Sequence, residues 1–201
     1  QRTQRISSKA WRSFASWRFE SERDFEYQRL NSKTMDKRKF FLSGTAILIY
    51  LALIKLLLHW ATSGNYGYFR DEFYYIVASK RLDLGYLEFP PMIALITAFT
   101  RATLGESLFA LRFLPALAGA LIVLLTGLMA RELGGGRWAQ ALAALAVMVA
   151  PVFLAMNSLL TMDSFDQLWW TLAAYLVIRI LKEDRPRLWL AFGLVAGLGL
   201  M

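Results

Sequence analysis

Six apolar runs alternate with short polar pieces along this chain, at about residues 40–60, 90–104, 108–130, 138–160, 166–181 and 188–201. A helix needs roughly 20 apolar residues to cross a bilayer, so the runs at 40–60, 108–130, 138–160 and 166–181 predict membrane spans. The run at 188–201 predicts a fifth span that breaks off in its middle, as in an N-terminal fragment of a longer protein. Residues 90–104 read differently. "PPMIALITAFTRATLG" offers about 14 helix-compatible residues after its proline pair and carries Arg101, which predicts an interfacial or re-entrant helix rather than a span.

The distribution of basic residues then orients the chain, because cytoplasmic loops collect Lys and Arg. With Lys37 to Lys39 inside, the first span leaves near Trp60 and residues 61–107 lie outside. The second span returns at Arg131 and Arg137, and the fourth at Lys182, Arg185 and Arg187. Had 90–104 crossed, those clusters would all face outward. The arrangement leaves Arg70, Lys80, Arg81 and Arg101 on the outer side, where each either snorkels to lipid headgroups or serves a function.

Composition agrees with a polytopic, all-α integral membrane protein: 57% of the 201 residues are hydrophobic. There is no cysteine, which excludes disulfides and thiolate metal sites, and His59 is the single histidine. The net charge of +8 sits mainly in the N-terminal arm and beside the apolar runs, so it points to anionic lipid and topology, not to nucleic acid. Residues 1–34 stand apart, with eight Lys/Arg, four Asp/Glu and no clean helical or strand period. Met35, followed by "DKRK" and an apolar run, reads as a start before a first span, so the basic polar extension 1–34 is expected to be untranslated; the competing reading is a basic arm on the membrane surface. "GGG" at 134–136 reads as a turn, and Gly193 and Gly197 have the spacing of close helix packing.

The chemistry concentrates in "NYGYFRDEFYYIVASKRLDLGYLEFPPM", residues 65–92. Phe73, Ile76 and Val77 recur at helical spacing while Asp71, Lys80 and Arg81 stay polar, predicting an amphipathic surface helix over 71–81. Asp71 then reads either as the helix N-cap, with Tyr74 at the third helical position and no reciprocal capping box, or as a general base at the membrane edge. Asp163 and Asp166, in "TMDSFDQLWW", fall at the same depth. Carboxylates near hydrocarbon are costly and tend to be paired or functional, although Asp166 also suits a helix cap. Trp169, Trp170, Tyr66, Tyr68, Tyr74 and Tyr75 read as interface-belt residues, with the further capacity to stack on a sugar.

"YFRDEFYYIVASKRLDLGYLEFPP", "LFALRFLPALAGALIVLLTGLMARELGGGRWAQ" and "TMDSFDQLWW" together resemble the protein-mannosyltransferase-like glycosyltransferases, relatives of dolichyl-phosphate-mannose protein mannosyltransferases and of lipid A aminoarabinose transferases. The resemblance covers about residues 36–201. It implies a GT-C fold with surface helices in the first outer loop, and a hexosyl- or pentosyltransferase using a polyprenyl-phosphate sugar donor. The acceptor would be a protein or glycolipid, and the active site would face the periplasm or outside of a bacterial inner membrane. It further implies Asp71 as catalytic base with Glu72 as its acidic neighbour, and Asp163 as a second acidic position that binds substrate.

A direct inverting displacement needs one base, because phosphate leaves without a protonating acid if cations stabilise it. Arg70, beside the acidic pair, is the expected phosphate contact, with Lys80, Arg81, Arg101 and Arg112 as further candidates, and Tyr74 is expected against the substrate. In "EFPP" the resemblance expects an acid, a basic residue and two prolines. Phe89 takes the place of the basic residue, and Glu88 is left as a metal ligand, a divalent ion being the one cofactor that the resemblance leaves open. A transporter or flippase for lipid-linked sugars, or a noncatalytic scaffold, are the alternatives; a transporter would be expected to show an acid or a broken helix near mid-membrane.

Overall fold

Apolar, helix-compatible sequence between glycine and proline punctuation gives helices alone: the computed structural model describes residues 43–201 apart from 184, with eight helices and no strand among them. The expectations for residues 1–34 lie outside the described residues. Helix α1 is Gly44–Thr62, α2 Arg70–Ala78, α3 Met92–Thr103 and α4 Leu108–Glu132. Then follow α5 Arg137–Val149, α6 Pro151–Met156, α7 Met162–Lys182 and α8 Arg187–Gly199. Two of the described helices, α1 and α4, are long and apolar enough to cross a membrane.

The segment expected to form one span over 138–160 does not form a single helix. Ala150 is extended (φ −64°, ψ 128°) and Pro151 starts a new helix, because proline lacks the N–H and its ring excludes the preceding residue from helical geometry. At 13 residues α5 is about 20 Å long, short of the ~30 Å hydrocarbon thickness. The break frees the Met148 carbonyl, and a side chain passed over in the sequence reaches it: Lys55, fully buried in the middle of α1, donates from Nζ to Met148 O (3.4 Å) and Phe153 O (3.2 Å).

Helix α4 is the central post, packed by α1, α5, α7 and α3. Gly127 on α4 faces the fully buried Leu48 of α1, and a Cβ there would lie 2.1 Å from Leu48 Cδ2. Gly127→Val is therefore expected to lower stability in detergent by about 1–3 kcal/mol through overpacking. An unchanged unfolding midpoint would show that α1 and α4 are not in this contact.

Polar side chains fasten the two ends of the bundle. At one end the Arg131 guanidinium donates to Thr45 Oγ1 (3.2 Å) and Lys182 Nζ pairs with Glu132 Oε2 (2.9 Å), joining the start of α1 to the ends of α4 and α7. The other end carries α2, α3 and the α6–α7 loop, held by an apolar core of Tyr75, Phe89, Ile93, Leu111, Leu160 and Phe165. Every candidate site residue lies at this second end.

Candidate functional site: an acidic surface on a buried ion-pair clamp

Helix α2 begins one residue earlier than the sequence predicts. Phe69 is the N-cap, in extended geometry (φ −77°, ψ 149°), so Asp71 is not the cap and Glu72 occupies the third helical position. Phe69 has no side-chain acceptor, but Glu72 Oε2 accepts from the Phe69 N–H at 2.8 Å, the return half of a capping box. The two adjacent acids thereby point to different environments. Asp71, with 37% of its side chain exposed, accepts from Arg70 Nε at 3.0 Å, and Arg70 is itself 88% exposed.

Glu72 is fully buried against Arg112 of α4, whose side chain is 3% exposed. Arg112 Nε donates to Glu72 Oε1 and Nη2 to Oε2, both at 2.8 Å, in the fork geometry of a bidentate pair. Its remaining N–H groups go to backbone carbonyls: Nη1 to Ser63 (2.6 Å) and Tyr66 (3.2 Å), and Nη2 to Gly67 (2.8 Å). Glu72 Oε1 also accepts from the Leu160 N–H at 3.0 Å. Burial pushes the Glu72 carboxyl up, but hydrogen bonds from Arg112, Leu160 and Phe69, with the Arg112 charge, outweigh it and hold it below the usual carboxylate range. One ion pair thus joins α2, α4, the α1–α2 loop and the α6–α7 loop.

All five guanidinium N–H groups of Arg112, expected among the phosphate contacts, are used internally. Glu72, expected as the acidic neighbour of the base, is buried with both carboxylate oxygens hydrogen-bonded inside the protein, next to the exposed Asp71 on the same turn of helix. Of the other cations, Arg101 is held by Glu106 and by Ser79 Oγ (2.9 Å), while Arg70, Lys80 and Arg81 are exposed.

Phe89, standing where a basic residue was expected, is the hub of an aromatic cluster. It stacks on Tyr86 (centroids 4.7 Å, 17°) and meets Tyr74 and Tyr75 edge-on at 5.1 and 5.3 Å. Tyr74 keeps an exposed face. Glu88 is exposed, and among the described residues no three His, Cys, Asp or Glu side chains assemble into a metal cluster, so Glu88 finds no co-ligands there.

Tyr75, read from the sequence as a belt residue, is buried and lies in the fields of both Asp71 and Asp163. Burial first, and then those two charges, push its hydroxyl above the usual tyrosine range, partly offset by the Met162 backbone amide. The charges of Asp71 on α2 and Asp163 on α7 thus both act on one phenol, although 92 positions separate them. Behind Asp163 opens a cavity of about 280 Å³ between the start of α3, the first turns of α7 and the end of α8. The periodic signal that could have flagged its wall is Asp163, Asp166 and Trp169 at i, i+3 and i+6 on one helical face.

A family model described as dolichyl-phosphate-mannose-protein mannosyltransferase matches residues 88–201, more than half of the chain. The chain belongs to this family. Together with the two apolar helices α1 and α4, membership marks it as a membrane protein of glycosyltransferase type. The matched stretch contains Arg112, Asp163, Asp166 and Trp169, whereas Arg70, Asp71 and Glu72 precede it. Among curated proteins and among solved structures, none matches the chain.

Proposed function

We propose that this mannosyltransferase-family chain forms part of a GT-C-type polytopic bundle that transfers a sugar from a polyprenyl-phosphate donor to a hydroxyl of a protein or glycolipid acceptor. In this reading α5 with α6, α7 and α8 also lie across the membrane, and the end carrying α2 and α3 faces the periplasm or outside. Asp71 is the general base. Its carboxylate takes the acceptor hydroxyl proton, the acceptor oxygen bonds to the anomeric carbon, and the bond from that carbon to the phosphate oxygen breaks with inversion. The departing polyprenyl phosphate carries the electron pair, met by Arg70 with Lys80 or Arg81 at the headgroup level. Asp163 and Tyr74 hold substrate.

The observation that carries this reading is the division of labour between adjacent acids. Glu72 is saturated and buried, and that anchors the helix from which Asp71 reaches solvent beside a cation. A transporter of lipid-linked sugars is favoured by one feature, the helix break at Ala150–Pro151, but the carbonyls of Met148 and Phe153 beside that break are taken by Lys55 Nζ. The test is transfer of labelled sugar from a panel of polyprenyl-phosphate hexoses and pentoses to endogenous acceptors, in membranes carrying the protein or its Asp71→Asn variant. Transfer that the variant retains removes Asp71 from the mechanism, and vectorial movement of the lipid without transfer replaces it with the transporter.

A further inference from the structure

Lys55 is a costly residue to place where it stands. It lies in the middle of α1, a helix apolar enough to cross a membrane, and it is fully buried. A charged side chain in such a helix is expensive and ordinarily meets an acid or a functional demand. Lys55 joins no ion pair among the described residues. Its acceptors are two backbone carbonyls, Met148 O before the helix break and Phe153 O after it. Satisfying them does not by itself explain a buried ammonium, since an unbroken helix would pair Met148 O with no charge at all.

What the ammonium reaches is the piece of chain that follows the break. None of the six residues of α6 is buried, so apolar packing does little to hold that helix in place. Polar and close contacts hold it instead. Lys55 Nζ ties Phe153 O to α1, and the Ser164 hydroxyl on the first turn of α7 bonds to Met156 O (2.6 Å) and Leu159 O (3.2 Å). The fully buried Asn157 lies against Gly119 of α4, where an added Cβ would be 2.7 Å from its Oδ1. The loop that follows meets α2 twice: the Leu160 N–H donates to Glu72 Oε1 at 3.0 Å, and the Met162 amide acts on the Tyr75 hydroxyl. Glu72 is the neighbour of Asp71, and Tyr75 lies one turn further along the same helix.

We propose that Lys55 is a positioning residue for the site. By latching both sides of the break it fixes α6 and the loop at 157–161, and through the Leu160–Glu72 hydrogen bond it fixes the turn of α2 that carries Asp71. Lys55 touches none of these α2 residues itself; the short helix α6 carries its effect from the middle of α1 to the site. The proposal rests on the glycosyl-transfer reading above for the role of Asp71, while the latch stands on the hydrogen bonds.

The experiment compares the full chain in lipid nanodiscs with Lys55→Met, which keeps the reach of the side chain and removes its donors. Hydrogen–deuterium exchange and transfer of labelled sugar per folded molecule are both read. In Lys55→Met the amides of 152–162 are expected to exchange about tenfold or more faster than in the wild type, while those of α4 keep their wild-type rates. Transfer per folded molecule is expected to fall about tenfold or more, because a displaced base loses its alignment with the acceptor. Lys55→Gln, which keeps N–H donors on a shorter stem, is expected to lie between the two proteins in both readouts. Exchange that rises to the same degree in α4 would make Lys55 a contributor to global stability alone and overturns the proposal, as does exchange at 152–162 that stays at the wild-type rate. Faster local exchange with undiminished transfer overturns it too, since the loop would then not position the site. If Lys55→Met cannot be obtained folded, Lys55→Gln is judged by the same outcomes. A wild type that transfers no sugar, with exchange at 152–162 still released by Lys55→Met, would defeat the transferase reading and leave the latch standing, so the two failures are separable.

Discussion

Arg112→Leu is expected to destabilise the folded chain by about 3–5 kcal/mol, the cost of leaving a buried charge without its partner. Glu72 would retain only the N–H groups of Phe69 and Leu160, and three backbone carbonyls in the α1–α2 loop would lose their donor. Arg112→Lys is expected to rescue little, because an ammonium cannot reproduce a planar fork that serves Glu72 and three carbonyls together. Adding Glu72→Met to Arg112→Leu should recover most of the loss, since removing both charges also removes the desolvation penalty. Chemical unfolding in detergent reads all three. A loss below about 1 kcal/mol for Arg112→Leu would mean that the pair is solvated like a surface bridge.

The same pair sets an acid limit. The Glu72 carboxyl is held below its ordinary value of 4.5 in the folded chain, so its contribution is fully present above that value and is lost as pH falls through the lower folded one. Below about pH 4.5 the wild type should therefore lose stability more steeply than Glu72→Gln. Parallel acid curves for the two proteins would count against a charged Glu72.

Asp71→Asn should act on rate alone. Removing a general base typically lowers turnover by about 10²–10⁴-fold, and the exposed pair with Arg70 is worth at most about 1 kcal/mol, so unfolding midpoints should hardly move. Glu72→Gln supplies the contrast: its loss of activity should track its loss of folded protein. If Asp71→Asn and Glu72→Gln lower activity per folded molecule equally, the two acids do not have separate roles.

Helix positions were largely legible because apolar period and punctuation are local. The runs at 90–104 and 108–130 appear as Met92–Thr103 and Leu108–Glu132, each set by its own flanking proline, glycine or serine. Ser107 caps α4 by accepting from the Ala110 N–H at 3.2 Å. The run at 138–160 misled because hydropathy does not register Pro151. Its effect is a matter of backbone geometry, and apolar residues continue on both sides of the break.

The sequence by itself determined that this chain is helical and apolar enough for a membrane, that its acids gather in a few short stretches, and that a helix starts within one residue of Asp71. These are properties of composition and of spacings within a few residues, which local propensity and solvent preference enforce. Only the tertiary structure decided which of two adjacent acids is free. Asp71 and Glu72 are equivalent on paper, and the difference between them is Arg112, forty residues on, reaching back with every donor it has. It likewise decided that Lys55 closes a broken helix and that the charges of Asp71 and Asp163 both act on Tyr75. Pairings of this kind are fixed by which buried polar group can find a partner when the helices pack, and that partner can come from any distance along the chain.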